Sequence, residues 1–145
     1  MDENIVIIDA NFILLPFQFK IHYLDEIELK LEGKVKFIIF KQVIDELKAK
    51  EMRKKSVGKF SQYFNSGLLY IEKNEDNYSI VHDPQIKRYD ETSDDFLIRK
   101  CSLLKKKGKK VYLATNDHEL KLKAKKQKIN LIFIRQKKII SIERA

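Results

Sequence analysis

Asp9 follows directly on the β-branched run Ile5-Val6-Ile7-Ile8, and Thr115-Asn116-Asp117 follows directly on Val111-Tyr112-Leu113-Ala114. Glu46 stands early in an amphipathic stretch that opens at Val43, and the pair Asp94-Asp95 stands at the head of another. Carboxylates gathered from such separated segments repel one another, which raises their pKa values and costs stability unless a cation relieves them. Mg2+ and Mn2+ prefer oxygen ligands of this kind, and Mg2+ keeps several waters. Such an ion polarises a phosphoryl oxygen, lowers the pKa of an attacking water and stabilises the leaving oxygen. Phosphodiester hydrolysis is therefore the chemistry to which these residues point, provided that the fold brings them together.

Each residue also has a plainer reading. Asp9 reads as a helix cap, Asp94 as a favourable charge at the positive end of a helix, and Asp117 as an N-cap. Any one of them alone is more often a cap than a ligand. Four converging on one strand edge are much harder to dismiss.

The elements that must position them can be read from hydrophobic pattern. Ile5 to Ile8, Val35 to Phe40, Leu68 to Glu72, Val111 to Ala114 and Asn130 to Arg135 read as five strands, with Ile139 to Ile142 as a short edge strand. Between them lie helical stretches at Phe12 to Phe19, bent or interrupted near Pro16, and at Ile21 to Leu31. Others follow at Val43 to Arg53, at Val57 to Asn65 closed by Ser66-Gly67, from Thr92 or Ser93 to about Lys107, and at Asp117 to Lys128. In the segment from Lys73 to Arg88, Tyr78 to Val81 reads as extended and Asp83-Pro84 as a turn. Strands alternating with helices predict one α/β domain over residues 1–145, a three-layer α/β/α sandwich around a five-stranded parallel sheet.

In such sheets ligands bind beyond the carboxyl ends of the strands. Asp9 and Thr115-Asn116-Asp117 fall at that edge, and the helices bring their N-terminal turns, with Glu46 and Asp94-Asp95, to the same edge. Helical phase refines the choice. Asp94 precedes Leu97, Ile98 and Cys101 by three, four and seven positions, on the inward face, whereas Asp95 turns to the flank. Glu46 borders the Val43–Leu47 stripe and Asp45 points away; Asp117 shares a face with Leu120 and Ala124 while Glu119 does not. The inward set is Asp9, Glu46, Asp94 and Asp117.

The net charge is +9, clustered at Lys48 to Lys59, Lys105 to Lys110, Lys121 to Lys128 and Arg135 to Lys138. A basic surface attracts polyanions, nucleic acid above all, although Lys-rich and Ile-rich composition also arises from genome bias or a hot habitat. The single cysteine, Cys101, can form no internal disulfide and falls in an apolar helical pattern, as a buried thiol in a reducing compartment would. His22, His82 and His118 show no zinc-ligand spacing. No stretch is apolar and long enough to span a membrane, and Met-Asp-Glu-Asn leading into a core strand is the reverse of a signal peptide, so a cytoplasmic protein with no membrane partner is expected.

Ile5-Val-Ile-Ile-Asp9-Ala-Asn11-Phe12, Val43-Ile-Asp-Glu46-Leu47, Asp94-Asp95-Phe-Leu-Ile98 and Ala114-Thr115-Asn116-Asp117-His-Glu-Leu120 together, in this order and spacing, resemble the PIN domain family over nearly the whole chain. Leu14-Leu15-Pro16-Phe17-Gln18-Phe19 and Thr115-Asn116-Asp117 look like the archaeal PIN proteins related to eukaryotic ribosomal-RNA-processing factors, and the chain is also similar to VapC-type toxins. The resemblance implies a five-stranded parallel sheet and Mg2+- or Mn2+-dependent endoribonuclease activity, with rRNA or its precursor as substrate. Its metal-binding, catalytic carboxylates map onto Asp9, Glu46, Asp94 and Asp117, with Asp95 the alternative third ligand. Asn11, Thr115 and Asn116 match supporting polar positions. Lys48, Lys50, Arg53, Lys54, Lys55 and Lys121 are the basic residues expected to hold RNA. Ala10 stands where the subgroup often has Thr, which removes a hydroxyl near the site.

Three rival readings stand beside this one. Some PIN-like proteins hold RNA as assembly factors without cutting it, and their sites usually lack one or more acids. A toxin role would bring a small antitoxin partner, which nothing in the sequence indicates, and a homodimer, for which no face is identified. A phosphorelay receiver should carry an Asp after the third strand, where Lys73-Asn74-Glu75 stands if that strand is Leu68 to Glu72, and a Lys after the fifth.

Overall fold

A computed structural model of the protein describes residues 3–53 and 58–145. Its elements follow in the order β1 (Glu3–Ile8), α1 (Ala10–Phe19), α2 (Tyr23–Lys30), β2 (Lys34–Phe40), α3 (Lys41–Arg53), α4 (Gly58–Asn74), β3 (Ser79–Asp83), α5 (Ser93–Lys106), β4 (Lys110–Ala114), α6 (His118–Lys126), β5 (Asn130–Arg135) and β6 (Ile139–Glu143). The sheet has six strands in the order β3-β2-β1-β4-β5-β6. The first five are parallel and β6 runs antiparallel to β5, so the predicted parallel sheet gains an antiparallel edge.

The centre of the sheet is β1, whose Ile5, Val6, Ile7 and Ile8 are all buried, as a strand covered on both faces requires. Helices flank the sheet: α1 packs on α3 and α4, while α5 packs on β4 and α6. The strand order reverses direction between β1 and β4, so the loops after these two strands diverge and leave a crevice at their carboxyl ends. The register Ile8↔Ala114 sets Asp9 and Thr115 side by side at that point.

Two expectations for the middle of the chain are corrected. Leu68 to Glu72 is not a strand but the second half of α4, which runs unbroken past Ser66-Gly67. Its buried residues Phe64, Gly67 and Ile71 recur at intervals of three and four, a helical stripe that a short apolar run conceals. Gly67 does not close a helix. A Cβ there would lie 2.7 Å from the main-chain oxygen of Ile13, so its bareness lets α4 cross α1 closely. The third strand is instead Ser79–Asp83, an edge strand largely exposed and hence polar in composition. Of the expected bend or interruption near Pro16, the interruption does not occur: α1 runs as one span through that residue. The expected helix start at Val57 lies outside the described residues.

The corrected third strand ends on Asp83, which removes the sequence argument against a receiver. Topology replaces it: receivers follow the strand order 2-1-3-4-5, and this sheet does not.

Candidate active site

Asp9 is the most enclosed of the described acidic residues, at 7% exposure. Its backbone N–H donates to Ala114 C=O at 3.0 Å, extending the β1–β4 pairing by one step. One carboxylate oxygen accepts from Ala10 N–H at 2.7 Å and the other from Thr115 Oγ1 at 2.8 Å. Burial pushes the carboxyl up to about 6 against the pull of these two hydrogen bonds, and the charges of Glu46 and Asp94 push the same way.

Thr115, fully buried, links two acids. Its hydroxyl donates to Asp9 and accepts from Asp117 N–H at 3.0 Å. Asp117 in turn caps α6, one oxygen accepting from Leu120 N–H at 2.9 Å. The capping reading and the cleft reading of Asp117 thus hold together, because the residue also lines the cleft.

Asp94 approaches from the first turn of α5, which Thr92 caps through Asp95 N–H. Burial holds the Asp94 carboxyl above its ordinary range, helped by Asp117 and opposed by Lys123. Asp95 faces solvent and pairs with Lys123 at 3.2 Å. Asp45 likewise lies outside, paired with Lys41 at 2.7 Å.

Asp9, Asn11, Glu46, Asp94 and Asp117 line one cleft of about 280 Å³, together with Ala10, Leu47, Ala49, Lys50 and Arg53. The carboxylates are all hard oxygen donors, and the rise in the Asp9 and Asp94 values marks a place where a cation would be welcome. That donor chemistry fits Mg2+ or Mn2+. Among the described residues, no group of three or more histidine, cysteine, aspartate or glutamate side chains is arranged to hold a metal ion as the side chains stand.

The other expected residues fall differently. Lys50 and Arg53 border the acids, Lys50 also resting over the Phe60 ring. Lys48 belongs to a neighbouring surface hollow with His82 and Pro84, and Lys121 lies over the Phe133 ring on β5. Lys54 and Lys55 lie outside the described residues. Asn116 does not line the cleft: its amide donates to Ile134 C=O and accepts from Ile134 N–H, tying the β4–α6 loop to β5. Cys101 is buried, which pushes its thiol up to about 12. No described helix is long and apolar enough to cross a membrane.

Sequence reasoning missed Gln42. Buried one turn before Glu46, it donates to Ser93 Oγ at 3.0 Å and, more loosely, to Glu46, and accepts from Lys87 N–H at 3.0 Å. It therefore couples α3, the loop after β3 and the head of α5. Its signal was the four-residue spacing to Glu46 directly after a buried strand.

A family profile described as a PIN-like domain matches residues 6–137. The chain is 30% identical over 137 residues to "Ribonuclease VapC4" of Methanocaldococcus jannaschii, covering 94% of this chain and 95% of that protein. The structure resembles that of the PIN domain endonuclease Utp24, with a TM-score of 0.70 and 24% identity over 97% of this chain and 92% of the other. It also resembles a domain of a functionally unknown protein from Methanocaldococcus jannaschii, with a TM-score of 0.61 and 18% identity over 90% and 91% of the two chains.

Proposed function

This chain belongs to the PIN-like domain family, and on that premise we propose that it is a metal-dependent endoribonuclease acting at the cleft between β1 and β4. One observation carries the reading: carboxylates from four separate segments, Asp9, Glu46, Asp94 and Asp117, line a single cleft with Lys50 and Arg53 beside them. Mg2+ or Mn2+ held there would supply a polarised phosphoryl oxygen and an attacking water of lowered pKa. The chain's own part is positioning. Thr115 and Ala10 N–H fix the two oxygens of Asp9, Asp117 is fixed by its cap, and Gln42 steadies the approach of Glu46. Lys50 and Arg53 offer charge to the phosphates that flank the cut.

The test is incubation of the purified protein with structured and unstructured RNAs, with and without Mn2+, beside Asp9→Asn and Asp117→Asn. Internal cleavage that needs the metal and is lost in both variants is expected. Metal-dependent cleavage retained by both variants would sink the site assignment. We place rRNA or its precursor first among substrates, following the resemblance of the Leu14–Phe19 segment; equal cleavage of every RNA tried would remove that refinement. A second reading is an assembly factor that holds RNA without cutting it, which Lys50 and Arg53 beside the cleft would serve equally. Full RNA affinity in EDTA with no cleavage under any metal would select it.

A further inference from the structure

Tyr89 is 98% exposed, and nothing in the packing of the domain accounts for it. A tyrosine ring left wholly in water presents both aromatic faces to a partner, with a polar tip that tolerates solvent. It stands in the segment between β3 and α5, which leaves and rejoins the sheet at the same edge as the acidic cleft.

The segment around it is tightly held. Gln85 C=O accepts from Gln42 N–H, and Lys87 N–H donates to the Gln42 side chain at 3.0 Å. Glu91 Oε1 accepts from Arg88 N–H at 3.1 Å, while Glu91 N–H returns to Arg88 C=O at 3.1 Å, closing a turn with Tyr89 at its tip. Glu91 is then gripped by Arg99 through two hydrogen bonds of 2.8 and 2.9 Å. This fork neutralises Glu91 and anchors the turn to α5, and Lys100 hydrogen-bonds Gln85.

The turn is thus a rigid support with one free ring at its apex. Lys87 and Arg88 precede the ring and Asp90 follows it, and Lys100 stands on the adjoining helix face. Five backbone steps separate Tyr89 from Asp94 of the cleft, so their α-carbons lie at most roughly 18 Å apart. Gln42, which braces both this loop and Glu46, makes the platform and the cleft one mechanical unit.

We propose that Tyr89 is a stacking platform for an unpaired base of single-stranded RNA, with Lys87 and Arg88 holding the adjoining phosphates. The proposal rests on the reading that the cleft takes RNA. Aromatic platforms accept any base, because every base has a π-face, and they need that base to be free of a duplex. The platform would therefore bias the protein toward unpaired stretches next to the cut.

The test is binding, in EDTA, of a short single-stranded oligoadenylate, an abasic strand of equal length and a base-paired RNA duplex. Tyr89→Ala should weaken the oligoadenylate about tenfold, the order expected from loss of one stacked base, and leave the abasic strand and the duplex unchanged. Tyr89→Phe should restore binding. The chain has no tryptophan, so Tyr89→Trp installs a single reporter whose emission should be quenched by oligoadenylate and not by the abasic strand. Equal affinity of wild type and Tyr89→Ala for oligoadenylate, or an equal loss on the abasic strand, would overturn the platform. Because no cleavage is measured, failure of the nuclease reading shows separately, as intact Tyr89-dependent binding with no hydrolysis under any metal.

Discussion

Asp9→Asn probes the electrostatics of the cleft without requiring activity. Folding raises the Asp9 carboxyl from 3.8 to about 6, chiefly through burial. A carboxyl raised in this way binds more protons in the native than in the unfolded state between those two values. Its contribution is therefore fully favourable below pH 3.8 and is lost as the pH rises through about 6. At about 1.4 kcal/mol per pH unit, the whole interval corresponds to about 3 kcal/mol, of which roughly 2 kcal/mol is expressed between about pH 4 and about pH 8. Asparagine has no charge to titrate and can still accept from Ala10 N–H. The stability of the variant relative to wild type should therefore improve by roughly 2 kcal/mol, or roughly 6 °C in Tm, from the lower to the higher pH, whatever constant cost the substitution carries. Thermal or urea unfolding of both proteins in EDTA at each pH measures this double difference, from which the carboxylates remote from Asp9 cancel while Glu46 and Asp94, whose charges act on Asp9, contribute to it. Mn2+ added at the higher pH should stabilise the wild type more than the variant and so reduce this double difference. A difference that stays flat, or moves the other way, would refute the claim that folding forces a poorly solvated negative charge onto Asp9.

Three further substitutions separate structural from chemical roles. Asp117→Asn keeps an N-cap and removes a charge, so unfolding should show a change under about 0.5 kcal/mol while RNA cleavage is lost; Asp117→Ala should lose cleavage and also about 1 kcal/mol of stability. Asp94→Asn should abolish cleavage, whereas Asp95→Asn, which gives up only the exposed pair with Lys123, should leave the cleavage rate within about twofold of wild type and stability within about 1 kcal/mol. Asn116→Ala strands both polar groups of Ile134 and should cost about 1–3 kcal/mol in urea unfolding, with activity per folded molecule retained.

The sheet's centre and its edge residues were legible because β1, β2 and β4 carry near-continuous apolar runs, so that Asp9 and Thr115 are marked simply by where those runs stop. Helical phase placed Asp45 and Asp95 on the outside because side-chain direction in a helix is fixed by local geometry. The stretch from Leu68 to Asp83 resisted the same treatment. Four apolar residues after a glycine suit a strand or a helix equally, and it takes the longer Phe64–Gly67–Ile71 stripe, packed closely on α1, to decide between them. β3 was hard to read for the opposite reason, since an edge strand that buries little carries little pattern. Gln42 and the Glu91–Arg99 fork were invisible because their partners lie far along the chain or on another element, and a single sequence records a polar residue without recording what it holds.

The glycine at the α1–α4 crossing has a genetic consequence. α1 begins one residue after Asp9, so whatever displaces α1 displaces the acid. A Cβ at position 67 would strike the main-chain oxygen of Ile13 before anything else, and trimming the Ile13 side chain leaves that oxygen in place. Changes at Gly67 should therefore surface in a screen as loss-of-function alleles remote from the cleft. Second-site revertants should not be found at position 13; they must come from substitutions that shift an entire helix.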